Sequence, residues 1–297
     1  MCAALAGCSG GGGGGGVAGA GAASPVAFTS FSAVPKPGTV EITGTTLEGT
    51  YASNSSFLVT SGTGPTAGSG KVTVTYDAAG NQTSGTVAGS QSSVTFSTTD
   101  GSTSTRLTAA GAPGAILAVS ANGRNAGVRA DETYLGFSYQ TFGIWETGLG
   151  TQSGAYGATS VGAATAGASI PTTGTATFTG AAGGGYIDVT GANYLAAGDA
   201  TLNANFGTRS VSLATANTSK LNASTLAVTT AANLNLSGTL TYAAGANSLS
   251  GTVSTADGMT GQVNGRFYGP AATEIGGTFA TAGTGVKMYG GGYGAKR

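Results

Sequence analysis

The sequence lacks histidine altogether, and its two cysteines, Cys2 and Cys8, both lie close to the first residue. Serine and cysteine nucleophiles usually need an imidazole base, and zinc sites usually draw on histidine or on clustered cysteine. The composition therefore excludes the usual triad enzymes and zinc sites, and it offers no cysteine pair for a disulfide in the body of the chain. We expect no catalysis, no cofactor and no bound metal.

Charged residues are also scarce, since 11 Lys and Arg and 11 Asp and Glu together make 7% of the 297 residues. An ordinary soluble domain contains about 25%. With a formal net charge of zero, the chain lacks the basic face that captures DNA or RNA, so nucleic acid is not expected as a partner. The sequence has no apolar run of the roughly 20 residues that a membrane-spanning helix needs.

Glycine is abundant, with 56 residues, and small hydroxyl residues accompany it. Short runs alternate apolar and hydroxyl side chains between turn residues, as in 71–76 (KVTVTY) and 92–97 (SSVTFS). This alternation is typical of half-buried strands, and many short strands at even spacing favour a barrel or a sandwich. A membrane-spanning barrel is less favoured, because these strands are short and their polar faces carry Thr and Ser.

The pattern predicts an all-β chain in which a β-rich domain precedes a closed antiparallel barrel of eight strands. We assign the first domain to 26–147, a linker to 148–170 and the barrel to 171–297. The glycines 183–185 are expected in a loop, because no phosphate-binding Lys-Ser/Thr pair follows them. Phe267 and Phe279 are expected to pack against one another in the barrel.

The N-terminus reads Leu-Ala-Gly-Cys from Leu5 to Cys8 and resembles the lipobox of bacterial lipoproteins, with Cys8 as the lipidated residue. The glycines 10–16 follow at once, as suits a flexible tether between a membrane and a folded domain. We therefore interpret 1–25 as a signal remnant and tether, and Ser9 resembles an outer-membrane sorting residue. The alternative is an ordinary N-terminus of small residues, since the apolar stretch is shorter than in most signal peptides.

The most aromatic stretch of the chain is 131–145. Aromatic anchors dominate many recognition surfaces, so four of its residues are candidates for ligand binding, with a core between the two domains as the alternative: Tyr134, Tyr139, Phe142 and Trp145.

The acidic residues are scattered along the chain, and a hydrolase that uses two carboxylates is the third functional alternative. Asp131 and Glu132 are adjacent but lack a calcium-loop pattern. Arg106, Arg124 and Arg129 flank a loop-rich segment, and they are expected either in a solvated loop or against an acidic partner.

Three segments of the second half resemble the barrel of transferrin-binding protein B-like surface lipoproteins, a group that includes factor H-binding protein. The most specific is 263–279, which reads VNGRFYGPAATEIGGTF and is similar to a hairpin near the family's C-terminus. The others are 170–180 (IPTTGTATFTG), similar to an opening strand, and 292–297 (GYGAKR), similar to a last strand. They cover about the last 130 residues, and the first half is matched only by the order of its elements.

This resemblance implies a handle-like N-terminal domain followed by the barrel, anchored by lipid to the outer membrane of a Gram-negative bacterium and exposed at the cell surface. It also implies binding of a host or environmental protein or a small solute, with a translocator or an uptake receptor as further partners. Transferrin itself is not expected, because the family's transferrin receptor has two lobes of each kind. A structural or adhesive surface protein is the functional alternative.

Overall fold

Alternating apolar and hydroxyl residues form two largely antiparallel sheets, one in each half of the chain. The structure, a computed structural model, describes residues 25–107, 114–223 and 225–297. Cys8 and residues 1–24 of the expected tether lie outside the described residues. Strands dominate the rest, so the predicted all-β class is confirmed.

The first sheet has eleven strands in the part of the chain that the structure describes. They are β1 (Val26–Ala27), β2 (Gly38–Ser53), β3 (Val59–Gly62), β4 (Thr66–Tyr76), β5 (Gln82–Ala88), β6 (Ser93–Ser97), β7 (Thr103–Leu107), β8 (Ala115–Val119), β9 (Asn125–Ala130), β10 (Gln140–Thr147) and β11 (Ser153–Gly162). Nine follow the order β6-β5-β4-β2-β11-β10-β9-β8-β7, while β1 and β3 pair with β2. The sheet curls into a nearly closed barrel.

Successive side chains of these strands point to opposite faces, so one face fills the inside of the curl and the other faces outward. The inside is apolar, with a cluster of Val40, Ile42, Val74 and Val161. Trp145 also lies inside, where it is only 2% exposed and its indole N–H donates to the Ser92 hydroxyl over 3.3 Å. A cavity of about 110 Å³ remains within the curl.

The second sheet is the predicted closed barrel. Its strands, within the described residues, are β12 (Thr175–Ile187), β13 (Asn193–Asn205), β14 (Ser210–Asn222), β15 (Val228–Thr230), β16 (Leu236–Thr241), β17 (Leu249–Thr255), β18 (Thr260–Tyr268), β19 (Glu274–Ala282) and β20 (Met288–Lys296). Eight of them close the ring, because β13 pairs with β12 and β14 and β12 pairs with β20. The short β15 adds to β14 alone.

Buried aromatic rings fill the barrel. Phe267 and Phe279 are both fully buried, as expected for the core. They contact different rings, however: the ring centre of Phe267 lies 5.5 Å from that of Tyr242, and the centre of Phe279 lies 4.8 Å from that of Tyr289. The expected direct contact between the two phenylalanines is replaced by two separate ring clusters.

Helical segments are short. One turn of α-helix, α1 (Glu132–Leu135), begins at Asp131, whose carboxylate accepts from the backbone N–H groups of Thr133 and Tyr134. The described 3-10 turns are Phe31–Ala33, Thr98–Asp100, Gly167–Ser169, Ala232–Leu234 and Pro270–Ala272. Among the described residues, no helix has the length and apolar character needed to cross a membrane.

Two segments differ from the sequence-based expectation. The expected linker 148–170 contains β11, which pairs with both β2 and β10, so the connection between the sheets is much shorter. The glycines 183–185, expected in a loop, lie inside the continuous strand β12. Gly184 faces β20 so closely that a Cβ there would overlap the carbonyl of Gly290, which explains the need for glycine in this strand.

Candidate functional site

A cleft of about 480 Å³ separates the outward face of the first sheet from the outer wall of the barrel. Ligand cavities in proteins span about 300 to 1,000 Å³ and are mostly apolar, so this cleft has the size of a binding site. Its position follows from strand alternation, since Ile144 and Glu146 of β10 point into it, whereas Trp145 between them belongs to the inside of the curl.

The floor of the cleft is glycine. Gly185 of β12 pairs with Gly290 of β20, and both face outward from the barrel. A Cβ built on Gly185 would meet no atom within 4 Å, and one on Gly290 would reach no closer than 3.5 Å to the Phe279 carbonyl. The cleft is therefore open partly because this part of the barrel wall carries no side chains.

Aliphatic side chains from both domains form the walls. The first sheet contributes residues of β2, β3 and β7 to β11, and the barrel contributes residues of β12, β13, β14, β19, β20 and the loop after β14. The leucine, isoleucine and valine residues of the walls are Leu47, Val59, Leu107, Leu117, Val119, Val128, Ile144, Leu149, Ile187, Leu195, Leu221 and Leu226. Leu226 is 71% exposed, an unusual exposure for a leucine, and lies at the rim.

One end of the cleft is polar and carries a carboxylate. The Nδ2 of Asn193, on the barrel, lies 3.5 and 3.3 Å from the two carboxylate oxygens of Glu146, on the first sheet. The Tyr51 hydroxyl lies beside the same carboxylate and donates to the Thr147 carbonyl over 2.8 Å. Burial raises the pKa of Glu146, and the contacts with Tyr51 and Asn193 offset only part of this effect.

A polar junction holds the two domains together at the other side of the cleft. The Glu274 carboxylate of β19 accepts from the backbone N–H groups of Ser138 and Tyr139, over 2.6 and 3.1 Å. The Gln140 amide donates to the Ile275 carbonyl over 2.9 Å and is fully buried. Burial raises the pKa of Glu274, while these backbone donors favour its charged form.

Glycines make this junction close enough to pack. A Cβ on Gly276 would overlap the Gln140 side chain, and one on Gly294 would come within 2.9 Å of the Phe142 ring. Glu274 and Gly276 of the 263–279 segment thus face the first sheet, while its phenylalanines fill the barrel. We call this contact, of 138–142 with Glu274, Gly276 and Gly294, the glutamate junction.

A second contact closes the opposite end of the cleft. The Val59 N–H donates to the Gly191 carbonyl over 2.9 Å, and Tyr51 and Val59 pack with Ile187 of the barrel. The cleft therefore lies between two points of attachment, which fix the distance between its walls.

The structure does not bring the four aromatic candidates into one surface. Tyr134 on α1 is 63% exposed, and Tyr139 is half-buried beside Gly269. Phe142 is buried in the glutamate junction, and Trp145 is buried inside the curl. Their role as ligand-binding residues stays a prediction. Of the four, Trp145 lies between the inside of the curl and the cleft and contributes to the lining of both.

The charged candidates mostly pair with one another. Arg106 forms an ion pair with the buried Asp131 over 2.5 Å, and Arg129 pairs with Glu132. No group of three His, Cys, Asp or Glu side chains suited to a metal ion is present in the described residues. The two ion pairs, Arg106 with Asp131 and Arg129 with Glu132, thus stabilise α1 and its surroundings.

Sequence reasoning missed the cleft and its carboxylate. Glu146 was one scattered acid among eleven, and nothing marked Gly185 and Gly290 as neighbours. A signal was present next to Trp145, since alternation along β10 places Glu146 on the same face as Phe142 and Ile144. An acid on an apolar face is the pattern that could have drawn attention to this position.

The chain is thus an all-β protein with a filled barrel attached to a curled sheet. Residues 170–297 match the family model described as "C-lobe and N-lobe beta barrels of Tf-binding protein B". The barrel domain therefore has the transferrin-binding protein B-like fold that the three sequence segments indicated. No curated protein is similar enough to the sequence to be matched.

Among solved structures, the chain is similar to intact Ap-TbpB with its N and C lobes, at 11% identity and a TM-score of 0.42, covering 91% of this chain and 77% of that one. It is also similar to the transferrin-binding protein B of serogroup B Neisseria meningitidis, at 11% identity and a TM-score of 0.39, covering 88% and 77%. The Trp-176-Ala mutant of transferrin-binding protein B from Haemophilus parasuis is similar at 11% identity and a TM-score of 0.41, covering 86% of this chain and 76% of that one.

Proposed function

We propose that this chain is a lipid-anchored protein of the outer cell surface that binds a small apolar solute between its two domains, without catalysis. Cys8 carries the lipid, and 10–16 form the tether. On this proposal the solute is delivered to an outer-membrane uptake receptor. The observation that carries the proposal is the apolar cleft of about 480 Å³ with its glycine floor.

A protein ligand is the second candidate, and the family match favours it, because the matched model is named for binding transferrin. A structural or adhesive protein is the third. These candidates differ in what fills the cleft: a solute-binding protein needs it empty and accessible, whereas an adhesive protein has no use for it.

The anchoring half of the proposal is tested by protease treatment of intact cells that express the full chain, compared with a Cys8→Ala variant. We expect the unaltered chain to remain with the membrane fraction and to be cleaved from outside. We expect the variant to be released into the soluble fraction. Protection from protease, together with equal solubility of both forms after lysis, would exclude a surface lipoprotein.

The binding half is tested with N-phenyl-1-naphthylamine, whose fluorescence rises in apolar sites. We expect saturable binding with one probe per chain, and we expect Gly185→Leu to abolish it, because the new side chain enters the open space above the floor. Thr239→Leu is the matched control, since it adds the same side chain to an exposed position on the far strand β16. Equal probe binding by all three proteins would show that the cleft is not the site.

A further inference from the structure

The cleft contains one feature that an apolar solute alone does not explain. The Glu146 carboxylate lines a space whose walls are mostly apolar, at the end bordered by Asn193. Removing a carboxylate from water is unfavourable unless a cation or several donors compensate. Asn193 supplies an amide donor and Tyr51 lies beside the carboxylate, and both favour its charged form over the neutral one.

The described residues supply no cation at this point. The eleven Lys and Arg residues of the chain all lie in the described ranges. The ion pairs that they make there join Lys71 to Glu41, Arg106 to Asp131, Arg129 to Glu132 and Lys287 to Asp257. None of these pairs involves Glu146. Glu146 is half-buried and accepts from the Asn193 amide, so its carboxylate has a donor but no cation among the described residues, and a ligand can supply that cation.

The shape of the cleft limits what can bring this charge. The group must reach Glu146 at one end, while the rest of the molecule lies along the glycine floor of Gly185 and Gly290 between aliphatic walls. A hydrated metal ion would leave this apolar space unfilled. A molecule with an apolar body and a single cationic head fills both parts.

We infer that the cleft binds an amphiphile with a protonated amine at one end, and that Glu146 is the residue that selects the amine. This inference rests on the proposed function, since it names the chemical class of the solute. The Asn193 amide holds the carboxylate at this end of the cleft. The mostly apolar walls contact the apolar chain of the ligand and do not discriminate between head groups. An anionic amphiphile of the same length would place two negative charges together in an apolar space.

The test uses three ligands that share one apolar chain: dodecylamine, dodecanol and dodecanoate, each below its micelle concentration. Displacement of N-phenyl-1-naphthylamine from the full mature chain at neutral pH gives their relative affinities. We expect the amine to bind at least about tenfold more tightly than the carboxylate, as a charge-assisted hydrogen bond implies. In Glu146→Gln the two affinities should converge, while Glu41→Gln, which alters an acid outside the cleft, should keep the preference.

The outcomes separate the two proposals. If the probe does not bind the unaltered chain, or if Gly185→Leu still binds it, the cleft is not a solute site and the proposed function fails. If the probe binds in the cleft but the amine shows no preference, the solute site stands and the amine inference is overturned. A preference that persists in Glu146→Gln would likewise overturn it, and near-ultraviolet circular dichroism checks that each variant is folded.

Discussion

Adjacent residues of one strand have separate roles in this protein. Trp145 fills the inside of the first sheet, whereas its neighbour Glu146 faces the cleft. If position 146 served only to stabilise the fold, an apolar side chain like that of Ile144 would suit it better. Burying an apolar group avoids the unfavourable free energy of removing a carboxylate from water. The carboxylate is therefore expected to reduce the stability of the unliganded protein.

This expectation gives a pH dependence. Burial raises the pKa of Glu146 in the folded protein, so between its ordinary and its raised pKa the folded state binds more protons than the unfolded state. The contribution of this group to the free energy of unfolding therefore falls as pH rises through that window. We expect Glu146→Gln to unfold at a higher temperature than the unaltered chain at pH 7, with the difference shrinking as the pH is lowered toward 4.

Thermal unfolding followed by circular dichroism across this pH range measures the difference. Glu41→Gln serves as the control, since its carboxylate reaches solvent and pairs with Lys71. A lower melting temperature of Glu146→Gln at pH 7 would mean that the surrounding donors stabilise the charge fully and that the carboxylate stabilises the unliganded protein.

At the scale of the strands, glycine has two different uses on the same barrel wall. Gly276 of β19 and Gly294 of β20 allow the first sheet to approach, while Gly185 of β12 leaves the cleft open. None of the three has the positive φ that only glycine adopts easily. A substitution at these positions is therefore limited by the space available for a side chain and not by backbone strain.

Replacing Gly276 and Gly185 by the same residue separates these uses. We expect Gly276→Val to lower the free energy of unfolding by about 1–3 kcal/mol, the usual effect of overpacking, because the new side chain overlaps Gln140. Gly185→Val should be neutral or stabilising, since a β-branched residue suits a strand and meets open space. Urea unfolding measures the free energy of unfolding of both variants. Equal destabilisation would contradict the different uses of Gly276 and Gly185.

Much of the second sheet could be predicted from the sequence. Alternation located most barrel strands, and the segment 263–279 indicated the hairpin of β18 and β19. Alternation failed at β12, where the three glycines 183–185 resemble a turn although the strand continues through them. A glycine run carries no side-chain pattern, so only the pairing of Gly184 with Gly291 of β20 reveals the strand.

The cleft could not be predicted in the same way. Its walls come from strands far apart in the sequence, and its volume depends on how closely the two domains approach. The apolar face of β8 and β10 is visible in the sequence, but what covers it is not. The segment 148–170 was also misleading, because its small residues resemble a linker while β11 uses them to pack between β2 and β10.

At the scale of the whole molecule, the cleft exists because two contacts hold the domains apart at a fixed distance. The glutamate junction lies on one side, and the contact of Val59 with Gly191 lies on the other. Domains within one chain usually move relative to one another unless their interface is large and well packed. Here buried hydrogen bonds and close glycine contacts cross the interface, which favours unfolding of the two domains as one unit.

Scanning calorimetry tests this coupling. We expect a single transition for the unaltered chain, with equal calorimetric and van't Hoff enthalpies. Glu274→Ala leaves the N–H groups of Ser138 and Tyr139 without an acceptor, a loss of about 1–3 kcal/mol, and should split the transition so that the first sheet unfolds before the barrel. The fluorescence of Trp145, the one tryptophan of the chain, reports which transition belongs to the first sheet.

Glu41→Ala is the control. It removes only a surface ion pair, so it should keep one transition. Two transitions in the unaltered chain would mean that the domains are independent, and the cleft would then widen and narrow as they move.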